Sequence, residues 1–435
     1  MKHLILIMLI ALTVQLNAQK RWTLEQCIAY AVENNISVKQ KEISRQTAET
    51  DLKMTRNSRL PNLNANIEQN YNFGNTAIGQ NQRQSKTDFN INSSVSIFSG
   101  FRAAHQIAKN KLDLQAATLN LEQAKEDLSI HITQLFLQVL LNKELQKIND
   151  EQFKLIKTQI ERTKTLIDAG RIPQSQLFDI QSQAANDRVL LIQAENDTKL
   201  ALLELAQNLE IQEFSDFDIV VSAGDTLLSA NQKNLFSVNT VYENALKTKP
   251  AVKSQEILLL SAEKTLKTVQ AEYYPTLSLN AGLSTNYFYL YNTTIQNLSF
   301  SDQIKNNIGE YISLNLSISV FNRFSTKNNV KKARQNIENQ QLILENAKKQ
   351  LYKEIQTAFL NALLSDEKLK YAHEAVKSTT EAFKYAQERY YAGKSSVFEL
   401  NEARTRLVRS QTEETQAKFD YIFRLKILDF YNGKF

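Results

Sequence analysis

Punctuation is what this chain of 435 residues lacks: it has 9 glycines and 4 prolines, against usual shares of roughly 7% and 5%. A loop-rich or all-β chain needs many more turn residues, so long uninterrupted helices are expected. The single cysteine, Cys27, excludes an internal disulfide, and four scattered histidines offer no zinc site. Of three methionines, one is the initiator and one lies in the apolar N-terminal stretch, so no thioether cluster for copper or silver exists. No G-x-x-x-x-G-K-[ST], G-x-G-x-x-G or G-x-S-x-G motif is present, which leaves an enzyme or a bound cofactor without support. The net charge of +6 comes from lysines and arginines dispersed among nearly as many acids. That pattern is one of solvated helix faces and not of a nucleic-acid surface. With 42% apolar and 23% charged residues, the chain is neither disordered nor a polytopic helical membrane protein.

What is present starts with an export signal. Met1-Lys2-His3 is basic, Leu4 to Leu12 is almost wholly apolar, and Leu16-Asn17-Ala18 supplies a small residue for cleavage. Residues 1–18 are therefore expected to be a signal peptide, too short in its apolar part to span a bilayer. No later stretch approaches 18 apolar residues. Cys27, inside a helical pattern, is expected to be a small buried side chain and not a lipid-attachment site.

The rest of the chain is written twice. Arg59-Leu60-Pro61-Asn62-Leu63 matches Tyr273-Tyr274-Pro275-Thr276-Leu277 at an offset of 214. Val95-Ser96-Ile97-Phe98 matches Ile318-Ser319-Val320-Phe321, and Ala169-Gly170-Arg171 matches Ala392-Gly393-Lys394, both at 223. The expected organisation is a first repeat at 19–209, a linker with a small mixed patch at 210–240, and a second repeat at 241–435. In each copy 72 residues separate the phenylalanine from the glycine. Apolar residues recur there at steps of three and four, with Leu114, Ala117, Leu121, Ala124, Leu128, Ile132, Leu135 and Val139 forming a seam. Some 67 helical residues make a rod of roughly 100 Å, which needs partners along its length. Shorter helices at 37–58 and from Pro173 to 208, and at 251–273 and 396–431, are the expected partners, stacked end to end beside each rod.

Between each short helix and the following rod the period falls to two. Leu63, Ala65, Ile67, Tyr71 and Phe73 alternate with asparagines; Phe89, Ile91, Val95 and Ile97 with Asn and Ser. In the second copy, Leu277, Leu279, Ala281, Leu283, Tyr287 and Tyr289 form one run, and Ile312, Leu314, Leu316, Ile318 and Val320 the other. Each run has about the length of a tilted membrane strand, and polar tracts 74–87 and 291–309 are expected to be hairpins. A half-buried soluble sheet also alternates, but four such runs with Asn and Ser on one face fit a lipid belt around a wet lumen better. Four strands cannot close on themselves, and open edges are not tolerated in lipid, so several chains must share one barrel. Two chains would give a filled barrel of eight strands and three an aqueous bore of twelve; physics favours three or more without selecting the number.

Two copies, paired strands and long helices ending in an Ala-Gly turn resemble the TolC-like outer-membrane efflux proteins. The motif Leu24…Ala29…Ala31…Asn34-Asn35 belongs to the same resemblance. The resemblance implies a mainly α fold with a membrane β-barrel portion, built from a tandem-duplicated α/β unit. Three chains would share a twelve-stranded barrel in the outer membrane of a Gram-negative bacterium, continued by a helical periplasmic tunnel. It implies a passive exit duct, docked to a periplasmic adaptor and, through it, to an inner-membrane transporter. It places Glu399, Glu402 and Asp179 at a tip constriction, with Tyr390 at a tyrosine latch position. The latch arginine falls on Ser395, which leaves Lys394 or Arg171 as substitutes. Gly170, Arg171 and Gly393 would meet the adaptor, and Leu63, Ile67, Ile91, Val95, Leu277, Leu279, Leu314, Leu316 and Ile318 would face outer-membrane lipid. Independently, Ser396-x-x-Glu399 reads as a capping box, and the glycines as helix C-caps. An exported trimeric coiled-coil adhesin with a β anchor is the rival reading; it does not account for duplication with two separate strand pairs.

Overall fold

A computed structural model describes residues 21–75, 81–213, 216–221, 237–291 and 296–433. The expected signal peptide at 1–18 lies outside the described residues, as does most of the linker between 221 and 237. In chain order the elements are β1 (Arg21–Trp22), α1 (Leu24–Asn34), α2 (Ile36–Asn57), β2 (Asn62–Asn75), β3 (Asn81–Ser99), α3 (Arg102–Asp168), α4 (Ser175–Asn208) and β4 (Asp218–Ile219). There follow α5 (Val238–Thr248), α6 (Pro250–Gln270), β5 (Thr276–Tyr291), α7 (Phe300–Asn306), β6 (Gly309–Ser317), α8 (Ser325–Tyr391) and α9 (Val397–Tyr431). The two rods, α3 and α8, have 67 residues each, and both their ends coincide at the offset of 223 read from the sequence.

Local chemistry sets the helix ends. Thr23 and Gln26 form a reciprocal capping box at α1. The Asn35 side chain then accepts from Ser37 N–H at 2.9 Å to start α2. Pro250 opens α6, where its missing N–H is no loss. Pro173 does not play that part: it stands two residues ahead of α4.

Two compact units result, and each draws on both repeats. One contains Ile43–Leu119 and Ser254–Asn346, the other the residues up to Glu42, Asn120–Lys253 and Ala347–Phe435. In the first unit a four-stranded antiparallel sheet has the order β2-β3-β5-β6. Its register sets Ile67 opposite Phe89, Ile91 opposite Leu283, Val95 opposite Leu279, and Leu279 opposite Leu314. Directly opposed residues share a face, so most apolar positions of the four strands gather on one side and most asparagines and serines on the other; Ser85 and Ser93 stay on the apolar side, and Phe288 and Leu290 on the polar one. A bulge between Ser96 and Phe98 shifts β3 so that Phe98 meets Leu277. On the polar side Gly282 leaves room for the Tyr311 ring, which a Cβ would overlap. Tyr311 thereby reaches across β5 to donate to Asn92 at 3.1 Å.

The strands differ from the expected runs in three places, the first being that β6 stops at Ser317, short of Ile318 and Val320. β3 begins at Asn81, inside the tract read as hairpin, because its polar residues pair with β2 without an apolar signal. The tract before β6 holds the seven-residue helix α7, too short to display a helical period.

In the second unit, Leu24, Cys27, Ala31, Ile132, Phe136, Val139, Leu205 and Leu209 form the main core. Trp22 packs edge-on against Tyr30 with ring centres 5.0 Å apart. β1 and β4 pair in parallel through Arg21–Asp218 and Trp22–Ile219, and Lys143 and Arg21 both pair with Asp218. Cys27 is fully buried, and burial pushes its thiol up to about 12.

Candidate functional site

Two surfaces carry the functional argument, and each lies within one unit. The first is the apolar face of the sheet. Leu63, Ile67, Leu314 and Leu316 are 58 to 76% exposed there, a state that water would penalise by roughly 1.5–3 kcal/mol per large side chain relative to burial. Such a contiguous apolar surface marks a membrane or protein contact. β2 and β6 are its edges, each without a hydrogen-bonded strand on its outer side among the described residues of this chain.

The second surface is the helix-turn region where α3 meets α4 and α8 meets α9. Both turns have the same backbone. Gly170 and Gly393 sit at φ +69° and +71°. Gly170 N–H donates to Ile167 O and Arg171 N–H to Leu166 O; Gly393 N–H donates to Tyr390 O and Lys394 N–H to Arg389 O. These are paired Schellman closures, which need the left-handed glycine. Arg171 and Lys394 follow as exposed residues.

Beneath the second turn Tyr390 is 1% exposed, packed with Ile156, Ile180, Val397 and Leu400. Its hydroxyl shares a 3.1 Å hydrogen bond with Thr163, and burial raises the phenol above its usual range. It thus joins α8 to α3 inside one chain and is turned away from solvent. Ser396 caps α9 by accepting from Glu399 N–H at 3.3 Å. The expected capping box is only half made, because the Glu399 carboxylate turns to Arg389 at 3.4 Å instead. Arg389 also donates to Lys394 O at 3.5 Å, so the arginine that ties the turn lies before it. Glu402 pairs with Arg406 at 3.1 Å. Asp179 and Glu402 line one groove of about 510 Å³ together with Ser182, Phe398 and Asn401.

Further along the same helices, Arg404 on α9 and Asp187 on α4 form an ion pair at 2.8 Å with both side chains under 10% exposed. A second contact at 3.2 Å and a bond from Gln183 to Asp187 at 3.0 Å complete it. The reading from sequence missed this pair. Its signal was present, since Arg404 adjoins the buried stripe Val397, Leu400, Ala403, Leu407 and Asp187 lies between Ile180 and Leu191 at helical spacing.

With this geometry in place, comparison with known families is decisive. The model of the outer membrane efflux protein family matches twice, over residues 28–209 and 241–430. The chain belongs to that family. No curated protein matches the sequence, but solved structures share the fold of this efflux-family chain. The Campylobacter jejuni CmeC outer membrane channel is 15% identical, covers 95% of this chain and 86% of its own, and superposes with a TM-score of 0.79. The open state of the Neisseria gonorrhoeae MtrE outer membrane channel is 16% identical over 94% and 88%, with a TM-score of 0.75. The Vibrio cholerae outer membrane protein VceC is 13% identical over 94% of each chain, with a TM-score of 0.74. At such identities the likeness speaks for the fold: mainly helical, duplicated, with paired strands in each half.

Among the strand residues singled out from sequence, Leu63, Ile67, Ile91, Val95, Leu277, Leu279, Leu314 and Leu316 share the apolar face. Ile318 stands one residue beyond the end of β6 and is 62% exposed, outside the paired ladder that sets the face of the others. Asp179 and Glu402 share one groove, Glu399 and Lys394 are linked at the second turn through Arg389, and Gly170 and Gly393 occupy equivalent turns.

Proposed function

We propose that this chain is one third of an outer-membrane exit duct for an efflux or secretion system. Three copies close their sheets into a twelve-stranded barrel in the outer membrane, and the helical part stands in the periplasm. A periplasmic adaptor binds the helix-turn end around Gly170, Arg171 and Gly393. An inner-membrane transporter, coupled through that adaptor, supplies the energy. The observation that carries this reading is the sheet: an exposed apolar face opposite an Asn/Ser face, with both edge strands open on their outer sides among the described residues. Unpaired edges cannot remain so in hydrocarbon, so copies must pair edge to edge. Asp179, Glu399 and Glu402 bring carboxylates to the helix-turn end, where three copies would form an acidic ring that attracts cations. Arg389 and Arg406 hold two of these carboxylates in place and leave them half exposed.

The test is electrical. Protein reconstituted into planar bilayers should conduct, and multivalent cations added on the helix-turn side should block it. Glu399→Ala with Glu402→Ala should weaken that block; unchanged block removes them from the constriction. Leu314→Arg should impair membrane assembly by roughly 2–4 kcal/mol if the site lies near mid-bilayer. Normal assembly of Leu314→Arg, or monomeric protein without conductance, would overturn the proposal.

A further inference from the structure

β5 outruns its partner. It continues to Tyr291, whereas β6 pairs with it only as far as Ser284 opposite Gly309. Beyond that point its outward backbone groups would be an open edge. Side-chain amides of the segment 296–308 fill it. Gln303 donates to Phe288 O at 2.9 Å and accepts from Phe288 N–H at 3.0 Å. Asn297 donates to Leu290 O and accepts from Leu290 N–H, both at 2.9 Å. Asn307 donates to Asn286 O at 2.9 Å. Three amides thus imitate the missing strand, and Gln303 is 2% exposed while doing so. An edge bathed in water has no need of this, because water can satisfy it; an edge in hydrocarbon has no other donor or acceptor.

The position of α7 agrees. The Phe300 ring packs edge-on to Phe89 at 6.4 Å and tilted against Tyr287 at 5.3 Å. Phe89 and Tyr287 belong to the apolar face by register, so α7 covers that face and not the polar one. Beside this cover the face carries a polar row: Gln69 bonds Ser85 at 2.9 Å and accepts from Thr87, and Thr285 donates to Ile304 O at 2.8 Å. Each of these side chains finds its partner within the protein. A membrane strand needs about 9–11 residues, and β5 has 16, so on the proposed reading Tyr287, Tyr289 and Tyr291 fall at the acyl–headgroup boundary, where amphipathic rings are favoured. Leu298, Phe300 and Ile308 are nonetheless more than half exposed.

From this arrangement we infer that segment 296–308 is a membrane-embedded shelf. It caps the β5 edge against hydrocarbon and presents Leu298, Phe300 and Ile308 to lipid at the acyl–headgroup boundary on the hairpin side of the bilayer. The inference rests on the proposal that the sheet's apolar face meets lipid, and the experiment separates the two. Nitroxide labels are placed one at a time at Leu298→Cys, Ile308→Cys, Leu314→Cys and Asn66→Cys in the full chain, reconstituted in vesicles of phosphatidylethanolamine and phosphatidylglycerol. Buried Cys27 stays in place and remains unlabelled. Collision with oxygen reports lipid, and collision with a water-soluble nickel chelate reports solvent. Leu298 and Ile308 labels should match Leu314 in preferring oxygen, with Asn66 showing the reverse order. Nickel accessibility like that of Asn66, or protection from both reagents by a neighbouring copy, would overturn the shelf while Leu314 upholds the barrel. A Leu314 label open to nickel would overturn the barrel reading itself.

Discussion

The two repeats keep the same bends and fill them with different chemistry. At the helix-turn end, Gly170 and Gly393 make matching closures, and a Cβ at either position would meet nothing within 4 Å. At the strand-to-rod bend, Gly100 and Phe101 take φ of 64° each, and their repeat equivalents Arg323 and Phe324 take 55° and 60°. The aromatic pair beside that bend recurs too: Phe98–Phe101 and Phe321–Phe324 both stand 5.5 Å apart. Side chains diverge around this common backbone. Tyr390 stands where the first repeat has Ile167, Glu402 where it has Asp179, and Arg404 where it has Gln181. Duplication has preserved the path of the chain, which packing and turn geometry fix, and released the polar positions to specialise.

The comparison breaks most sharply at the buried ion pair, whose repeat equivalents, Gln181 and Ser410, carry no charge. Asp187→Ala leaves the Arg404 guanidinium buried and unpaired and should destabilise the helical unit by about 3–5 kcal/mol, read as a lowered thermal midpoint. A double variant, Asp187→Leu with Arg404→Met, should recover much of that loss; failure to recover would show that the pair itself, and not the unpaired charge, matters.

Next come the glycines. Gly100→Ala adds left-handed strain to a Cβ placed 2.6 Å from Ala271 O and should cost about 2–4 kcal/mol. Gly170→Ala and Gly393→Ala carry the strain alone, roughly 1–2 kcal/mol each. Equal losses at those two would confirm equivalent turns, and unequal losses would show that one is already relaxed.

The helix starts differ by a smaller amount. α9 has the Ser396 cap, whereas Gln174 before α4 makes no side-chain cap. Ser396→Ala should cost about 1 kcal/mol, while Gln174→Ala should be near neutral in the same denaturation assay.

An effect of similar size is that of Tyr390→Phe, which removes the Thr163 bond at about 1 kcal/mol. The Tyr390 phenol is raised above 10.0, so the native state holds its proton to higher pH than the unfolded chain does. Its contribution is complete below about pH 10 and is lost as pH rises further. Tyr390→Phe should flatten that alkaline decline, while Tyr421 and Tyr431, raised in the same direction, keep part of it.

Periodicity made the rods and strands legible, because a wrong register would expose every apolar residue of a strand or rod. The same signal failed where no apolar residue takes part. The polar start of β3 pairs through backbone groups, and α7 and its flanks are fixed by amides whose partners lie up to 21 residues away. At the helix-turn end the contact of Arg389 with Glu399 was not legible, because the two residues lie on different helices and only the turn between them brings them together. The Asp187–Arg404 pair joins residues 217 positions apart, and single charges within a helix read as solvated until the opposite face is known. The turn glycines were legible because only one residue type accepts their backbone conformation readily.

The Asn/Ser face of the sheet has one more consequence. Its described strand residues include only three charged side chains, Glu68, Lys86 and Asp88, and the last two neutralise each other at 2.7 Å. On the proposed reading that face lines the bore, so the wall is wet but almost without electric field. Such a lumen would act as a size-limited conduit and pass cations, anions and neutral solutes with little sorting, leaving the choice of cargo to whatever loads the far end.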